Sequence, residues 1–266
     1  MKQNAIYPKV ALDMFVVQLT WALGFLGVML LVHIGKIIAS TFGDYEVDSY
    51  FNVVFIAANI FMFVVGILCV NFLPHYVSNG VTRKDYFKGA LIGALGLSVA
   101  LPVIASIGSL LSKVILNLFE KITIKEADIN SVITDIETDS NIIGNIVDSV
   151  VQSFIVPPYI DPTSNFVLAI AIVSLNIFIY FLVGWLIGVA FYRLGTLGGL
   201  LFIVIGLALI IVKDALLRLI LNLPLPPKLA FIESLSNSIG GIIIVAIILL
   251  ALFGIRSLSK NMTVKL

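Results

Sequence analysis

The sequence predicts an all-α polytopic membrane protein with six transmembrane helices and both termini in the cytoplasm. Three observations carry this expectation. Hydrophobic residues make up 60% of the 266 positions and charged residues 12%, against about 45–50% and about 25% in an average soluble domain. Mean hydropathy is +1.14. Six runs free of charge are each close to the ~20 residues that a helix needs to cross hydrocarbon. This composition excludes a water-soluble globule and an intrinsically disordered chain. The formal charge of +1 offers no concentrated basic face, so no nucleic-acid partner is expected. The single cysteine, Cys69, excludes an intramolecular disulfide and a cysteine metal cluster.

The first span, 14–32, begins beside Asp13 and carries Gln18, and its run WALGFLGVMLLV sustains it. It is too long, and lacks the small-residue cleavage site, for a signal peptide. An outer connection, His33–Tyr50, holds the acidic cluster Asp44, Glu46 and Asp48. The second span, 51–70, leads through an inner loop to the third, 89–112, where Pro102 should kink the helix. Ser98 and Ser106 are placed to satisfy backbone groups freed there.

The longest connection is the outer segment 113–165. Ile129, Val132, Ile133, Ile136, Ile143, Val147, Val150 and Phe154 recur at spacings of three and four, the mark of an amphipathic helix or helix pair, ended by Pro157-Pro158. It reads as a cap on the bundle or headgroups, or as a substrate gate. DINSVITDIETD lacks the glycine and ligand spacing of a calcium loop, so no metal is assigned.

The fourth and fifth spans are 166–191 and 194–212. Lys213, Asp214 and Arg218 then stand at the outer end, either as interface anchors with an ordinary Asp214–Arg218 pair or lining an outer vestibule. In the stretch 219–235, Pro224, Pro226 and Pro227 break two apolar runs too short to cross, which reads as a re-entrant or interfacial segment. The sixth span is 236–254. Gly89 and Gly93, Gly96 and Ala100, and Gly184 and Gly188 are spaced for close helix approach. Asn52, Asn59 and Asn176 should turn inward, to interhelical hydrogen bonds or to substrate. No ionisable residue is expected near the middle of a span, which speaks against ion-coupled transport.

Orientation follows from lysine and arginine. With the termini inside, nine basic and two acidic residues face the cytoplasm, and seven basic and thirteen acidic residues lie outside. The basic inner residues include Lys9, Arg83, Lys84, Lys88, Arg193, Arg256 and Lys260.

The inner loop reads NFLPHYVSNGVTRKDYFKG. Pro74 should end the second span, and Asn79-Gly80 marks a tight turn. Thr82 and Asp85 have capping-box spacing, so a helix should start at about Arg83 and run into the third span. Tyr76, Tyr86 and Phe87 are expected as exposed aromatics on a short, structured, basic loop. Arg83 and Lys84 read either as positive-inside anchors or as a docking point.

The six-span layout together with SNGVTRKDYF resembles the permease subunits of ABC-2-type exporters of Gram-positive bacteria. Their motif, similar to G-x-[ST]-R-[KR], is matched by Gly80, Thr82, Arg83 and Lys84. The resemblance implies a coupling helix around Ser78–Phe87, Asn79, Val81 and Asp85 included and Tyr76 just before it, that docks on a separate cytoplasmic ATPase. It also implies a connecting helix before the first span, for which Tyr7–Leu12 is the candidate, and re-entrant segments between the fifth and sixth spans. ATP and magnesium would be held by the partner ATPase, with no cofactor in this chain. A second permease copy or a paralogue would complete the path in the cell membrane. The long outer segment departs from common members and suggests the peptide-exporter or peptide-antibiotic immunity subgroup.

Gly35-Lys36 is followed by Ile37, so no P-loop is present, and the two histidines, His33 and His75, cannot form H-E-x-x-H. No nucleophile–base set marks the chain as an enzyme. Two functions are therefore expected. The first is a permease subunit exporting an amphipathic or peptide-like substrate. The alternative is a stand-alone immunity or sensor protein that binds a peptide at its acidic outer surface.

Overall fold

The computed structural model describes residues 6–42, 49–117, 153–154, 157–160, 162, 164–260 and 262. Most of the outer segment 113–165, with the amphipathic pattern from Ile129 to Val150, lies outside the described residues, as does the acidic cluster Asp44, Glu46 and Asp48.

Among the described residues the regular elements are all helical. They are α1 (Tyr7–Phe42), α2 (Tyr50–Cys69), α3 (Phe72–Ser78), α4 (Arg83–Asn117), α5 (Phe166–Ile220), a 3₁₀ helix (Pro227–Ser234) and α6 (Asn237–Lys260). Among the described residues, five helices are long and apolar enough to cross a membrane, as a polytopic membrane protein requires. The short α3 follows directly on the second of them. Large apolar side chains face outward on α1 (Val16, Leu23, Leu31), α4 (Ile92, Val99, Ile107) and α6 (Ile242, Leu249, Phe253). In water such a continuous apolar exterior would aggregate, whereas lipid is its proper solvent.

The 55 residues of α5 are not one straight rod. Gly195 has φ 73° and ψ −168°, outside helical space and costly for any residue with a Cβ. On either side of it the chain meets itself. A Cβ built on Gly206 would lie 2.7 Å from Val183 Cγ1, and the Lys213 ammonium donates to the side-chain oxygen Oδ1 of Asn176 at 2.5 Å. The two arms therefore run antiparallel. The stretches expected as the fourth and fifth spans share one helical element folded at a glycine, and the second arm continues eight residues past its expected end at 212.

The first arm is the axis of the molecule. Every residue from Asn176 to Ala190 is buried. A helix apolar all round has no solvent face, so it belongs at the centre of the bundle. It meets α2 through glycine. A Cβ on Gly184 would stand 2.1 Å from the Phe63 carbonyl oxygen, on Gly188 2.4 Å from that of Ile67, and on Gly66 2.2 Å from that of Phe181. α1 and α4 use the same device, since a Cβ on Gly89 would lie 2.5 Å from Val10 Cγ1. Gly93 packs on the Ala11 carbonyl and Gly96 on the Phe15 ring.

Several expectations are corrected. Tyr7–Leu12 is the first turn and a half of α1, not a separate connecting helix, because no breaker separates it from the apolar run that follows. The second span ends at the Val70–Asn71 turn, and Pro74 falls in the first turn of α3, where its missing N–H costs nothing. Ser98 and Ser106 donate to the carbonyls of Ala94 and Pro102, each four residues back, and not to the acceptor that Pro102 frees. In the proline-broken stretch 219–235, α5 ends at Ile220 and a 3₁₀ helix, Pro227–Ser234, packs on the bundle through Ile232.

Candidate functional site

Two places concentrate polar chemistry, one at each half of the bundle. The first is the connection between α2 and α4. α3 ends in a Schellman motif, with Gly80 N–H donating to the Val77 carbonyl and Val81 N–H to that of Tyr76, both at 3.0 Å. Gly80 supplies the positive φ of 80° that this closure demands. Two residues on, the N-cap half of the expected capping box forms, while the second bond runs between the two side chains and not to the Thr82 backbone N–H. Asp85 N–H donates to Thr82 Oγ1 at 3.1 Å, and the Thr82 hydroxyl donates to the Asp85 carboxylate at 2.9 Å. α4 begins at Arg83, as its spacing predicts. A C-cap and an N-cap separated by two residues leave the turn little freedom.

The exposed rim of this turn is His75, Ser78, Asn79, Gly80, Thr82 and Lys84. Val81 and Asp85 are half-buried. The aromatics are not exposed, contrary to expectation. Tyr76 and Tyr86 are 7% and 1% exposed, and Phe87 is partly covered. Tyr86 donates to the Cys69 carbonyl, Tyr76 to the Asp13 carboxylate of α1, and Phe87 and Tyr86 both pack on Trp185 of α5. The rings fill the gap beneath the turn, where burial of large apolar area outweighs display.

Arg83 also points inward. Its guanidinium donates to the carbonyls of Lys260 and Met262 at the end of α6. Arg193, at the tip of the α5 hairpin, donates to those of Ser257 and Leu258. Arg256 donates back to the Arg83 carbonyl at 3.2 Å and lies over the Phe87 ring. Two guanidiniums thus satisfy the orphan carbonyls and the negative dipole end of α6. These contacts gather Arg83, Arg193, Arg256 and Lys260 at one end of the bundle.

The second place gathers around Lys213, Asp214 and Arg218, whose burial sequence reasoning missed. Expected at the outer end of a span, they are 0%, 5% and 1% exposed and lie within helix. Arg218 Nε donates to Asp214 at 2.9 Å, and the Arg218 guanidinium also meets the Pro224 carbonyl. Lys213 stands 3.9 Å from Asp214, lies over the Tyr180 ring, and donates to Asn176. Asn176 in turn donates to Asn59 of α2 at 2.8 Å. Asn176 is ten residues into α5, about 15 Å of helix from its start. Ionisable groups therefore sit deep in the bundle, which overturns the expectation of none. The signal was present in the sequence, because the apolar run resumes after the charges as Ala215-Leu216-Leu217 and Leu219-Ile220.

Asn59 and Asn176 make the interhelical bond expected of them, whereas Asn52 accepts from Tyr159 of the outer segment and not from another helix. Compared with protein-family models, curated proteins and solved structures, the chain matches none.

Proposed function

We propose that this chain is the membrane subunit of an ATP-driven exporter similar to the ABC-2 type, crossing a bacterial cell membrane six times. The observation that favours this reading is the turn from Phe72 to Asp85, rigid in itself and tied to three other helices. The polar rim from His75 to Lys84 offers a cytoplasmic ATPase, holding ATP and magnesium, a shaped knob to clamp. Displacement of the knob would be felt at once by α1 through Asp13, by α5 through Trp185 and by α6 through Arg83. The hairpin at Gly195 supports the count of six passages, since it makes two antiparallel arms of α5. A second copy or paralogue would complete the path for an amphipathic or peptide-like substrate.

The deciding experiment is to look for an ATPase reading frame beside the gene and to test its product for co-purification. A His75→Glu/Lys84→Glu variant should insert normally and lose the ATPase. Unchanged co-purification, or full function in vesicles without ATP, would sink the reading in favour of a stand-alone membrane protein.

A further inference from the structure

A short part of the outer segment lies down inside the bundle. Ser153 is 3% exposed, Tyr159 is 7% exposed, and Pro157 and Pro158 are buried. The bundle grips it by its main chain. Tyr180 donates its hydroxyl proton to the Ser153 carbonyl at 2.5 Å, and Asn59 donates to the Phe154 carbonyl at 3.5 Å. The Phe154 ring fits between Tyr180, at 4.9 Å, and Phe63, at 5.6 Å.

Both grips lead back to one residue. The Lys213 ammonium lies 4.7 Å from the centre of the Tyr180 ring, which fixes where that hydroxyl points. The same ammonium donates to Asn176 Oδ1, and Asn176 Nδ2 donates to Asn59 Oδ1, which orients the Asn59 amide so that its nitrogen faces Phe154. Among the described residues, Lys213 makes no hydrogen bond to the segment itself. The charge is costly inside a membrane bundle. An apolar side chain would fill the space, but it would order neither donor. Chains of hydrogen bonds with every member matched specify one arrangement, and they lose it together when one member goes.

We propose that Lys213 is a positioning residue that latches Ser153 and Phe154 against the α2–α5 seam. Release of the latch exposes Asn59, Asn176 and Lys213 to the outside. The latch depends on no ATPase partner, so it stands or falls apart from the exporter reading.

The test is labelling of Ser153→Cys by a membrane-impermeant maleimide in intact cells, with Cys69→Ser removing the native thiol and Ser164→Cys, which is exposed, as the reference site. Labelling at position 153 should be slow. Tyr180→Phe and Asn59→Ala each remove one grip and should raise its rate about five- to tenfold, the scale of a lost hydrogen bond, with the rate at 164 unchanged. Lys213→Met should raise it further, and Lys213→Arg should restore slow labelling. Equal rates at position 153 in Tyr180→Phe, Asn59→Ala and the parent would overturn the latch. So would a parallel rise at 164, which would mean general loosening. If Lys213→Met fails to fold, Lys213→Gln takes its place, and labelling at 153 as slow as in the parent would overturn the positioning role.

Discussion

Arg83 at the first residue of α4 donates to the carbonyl of Met262, 179 residues later, at 2.6 Å. The contact ties the start of one long helix to the end of the last. It also removes Arg83 from the surface offered to a partner and leaves Lys84 as the exposed cation of the pair. Arg83→Ala should therefore leave ATPase binding less affected than Lys84→Glu, and should free the end of α6. The measurement is limited tryptic cleavage after Lys260, which should quicken in Arg83→Ala and not in Lys84→Ala. The stability loss should be about 1.5–3 kcal/mol, the range for charge-assisted hydrogen bonds.

Gly184 and Gly188 should tolerate no side chain. Gly184→Ala/Gly188→Ala drives two methyl groups into the backbone of α2 and should cost about 1–3 kcal/mol or more through forced separation. Gly27 has nothing within 4 Å of a built Cβ, so Gly27→Ala is the control and should melt like the parent. Thermal unfolding in one detergent compares the three.

Gly80→Ala should destabilise the turn by about 1 kcal/mol, because alanine at φ 80° pays the left-handed penalty. Gly80→Asn, better suited to that region, should cost less. If α3 and α4 act as one rigid knob, the alanine variant should also lower substrate-stimulated ATPase activity. Equal activity in both variants would argue against rigidity as the working property.

Asp214→Asn should be more damaging than removing the whole pair. The single change leaves Arg218 buried against a neutral amide, for which about 3–5 kcal/mol is typical, while Asp214→Asn/Arg218→Met discards both charges and should recover part of that loss. A double-mutant cycle on unfolding free energy reads the coupling. A strictly additive cycle would show that the pair does not act as a unit.

The helical course was legible because hydropathy reports the solvent around each stretch, and the Thr82–Asp85 box because caps are local. Gly184 and Gly188 announced themselves by spacing. What stayed hidden was non-local. Tyr76 and Tyr86 read as exposed because their loop is short and basic, yet the space they fill is made by Asp13 and Trp185, far off in sequence. Lys213 read as the end of a span because an isolated helix should shed a charge. The partners that let it stay, Asn176 and Asn59, come from a helix arm and a neighbour that only the fold at Gly195 and the α2 contact bring near.

The fold at Gly195 also bears on how the chain is made. An arm that carries Lys213 away from Asn176 is a poor passenger alone, since a charge within a spanning helix is costly without a partner to offset it. The first arm is a poor one too, since lipid would meet Asn176 with nothing to answer it. Paired, each covers what the other cannot leave open. Biosynthesis is then expected to deliver the two arms to the bilayer together, with the second leaving the ribosome before the first has settled.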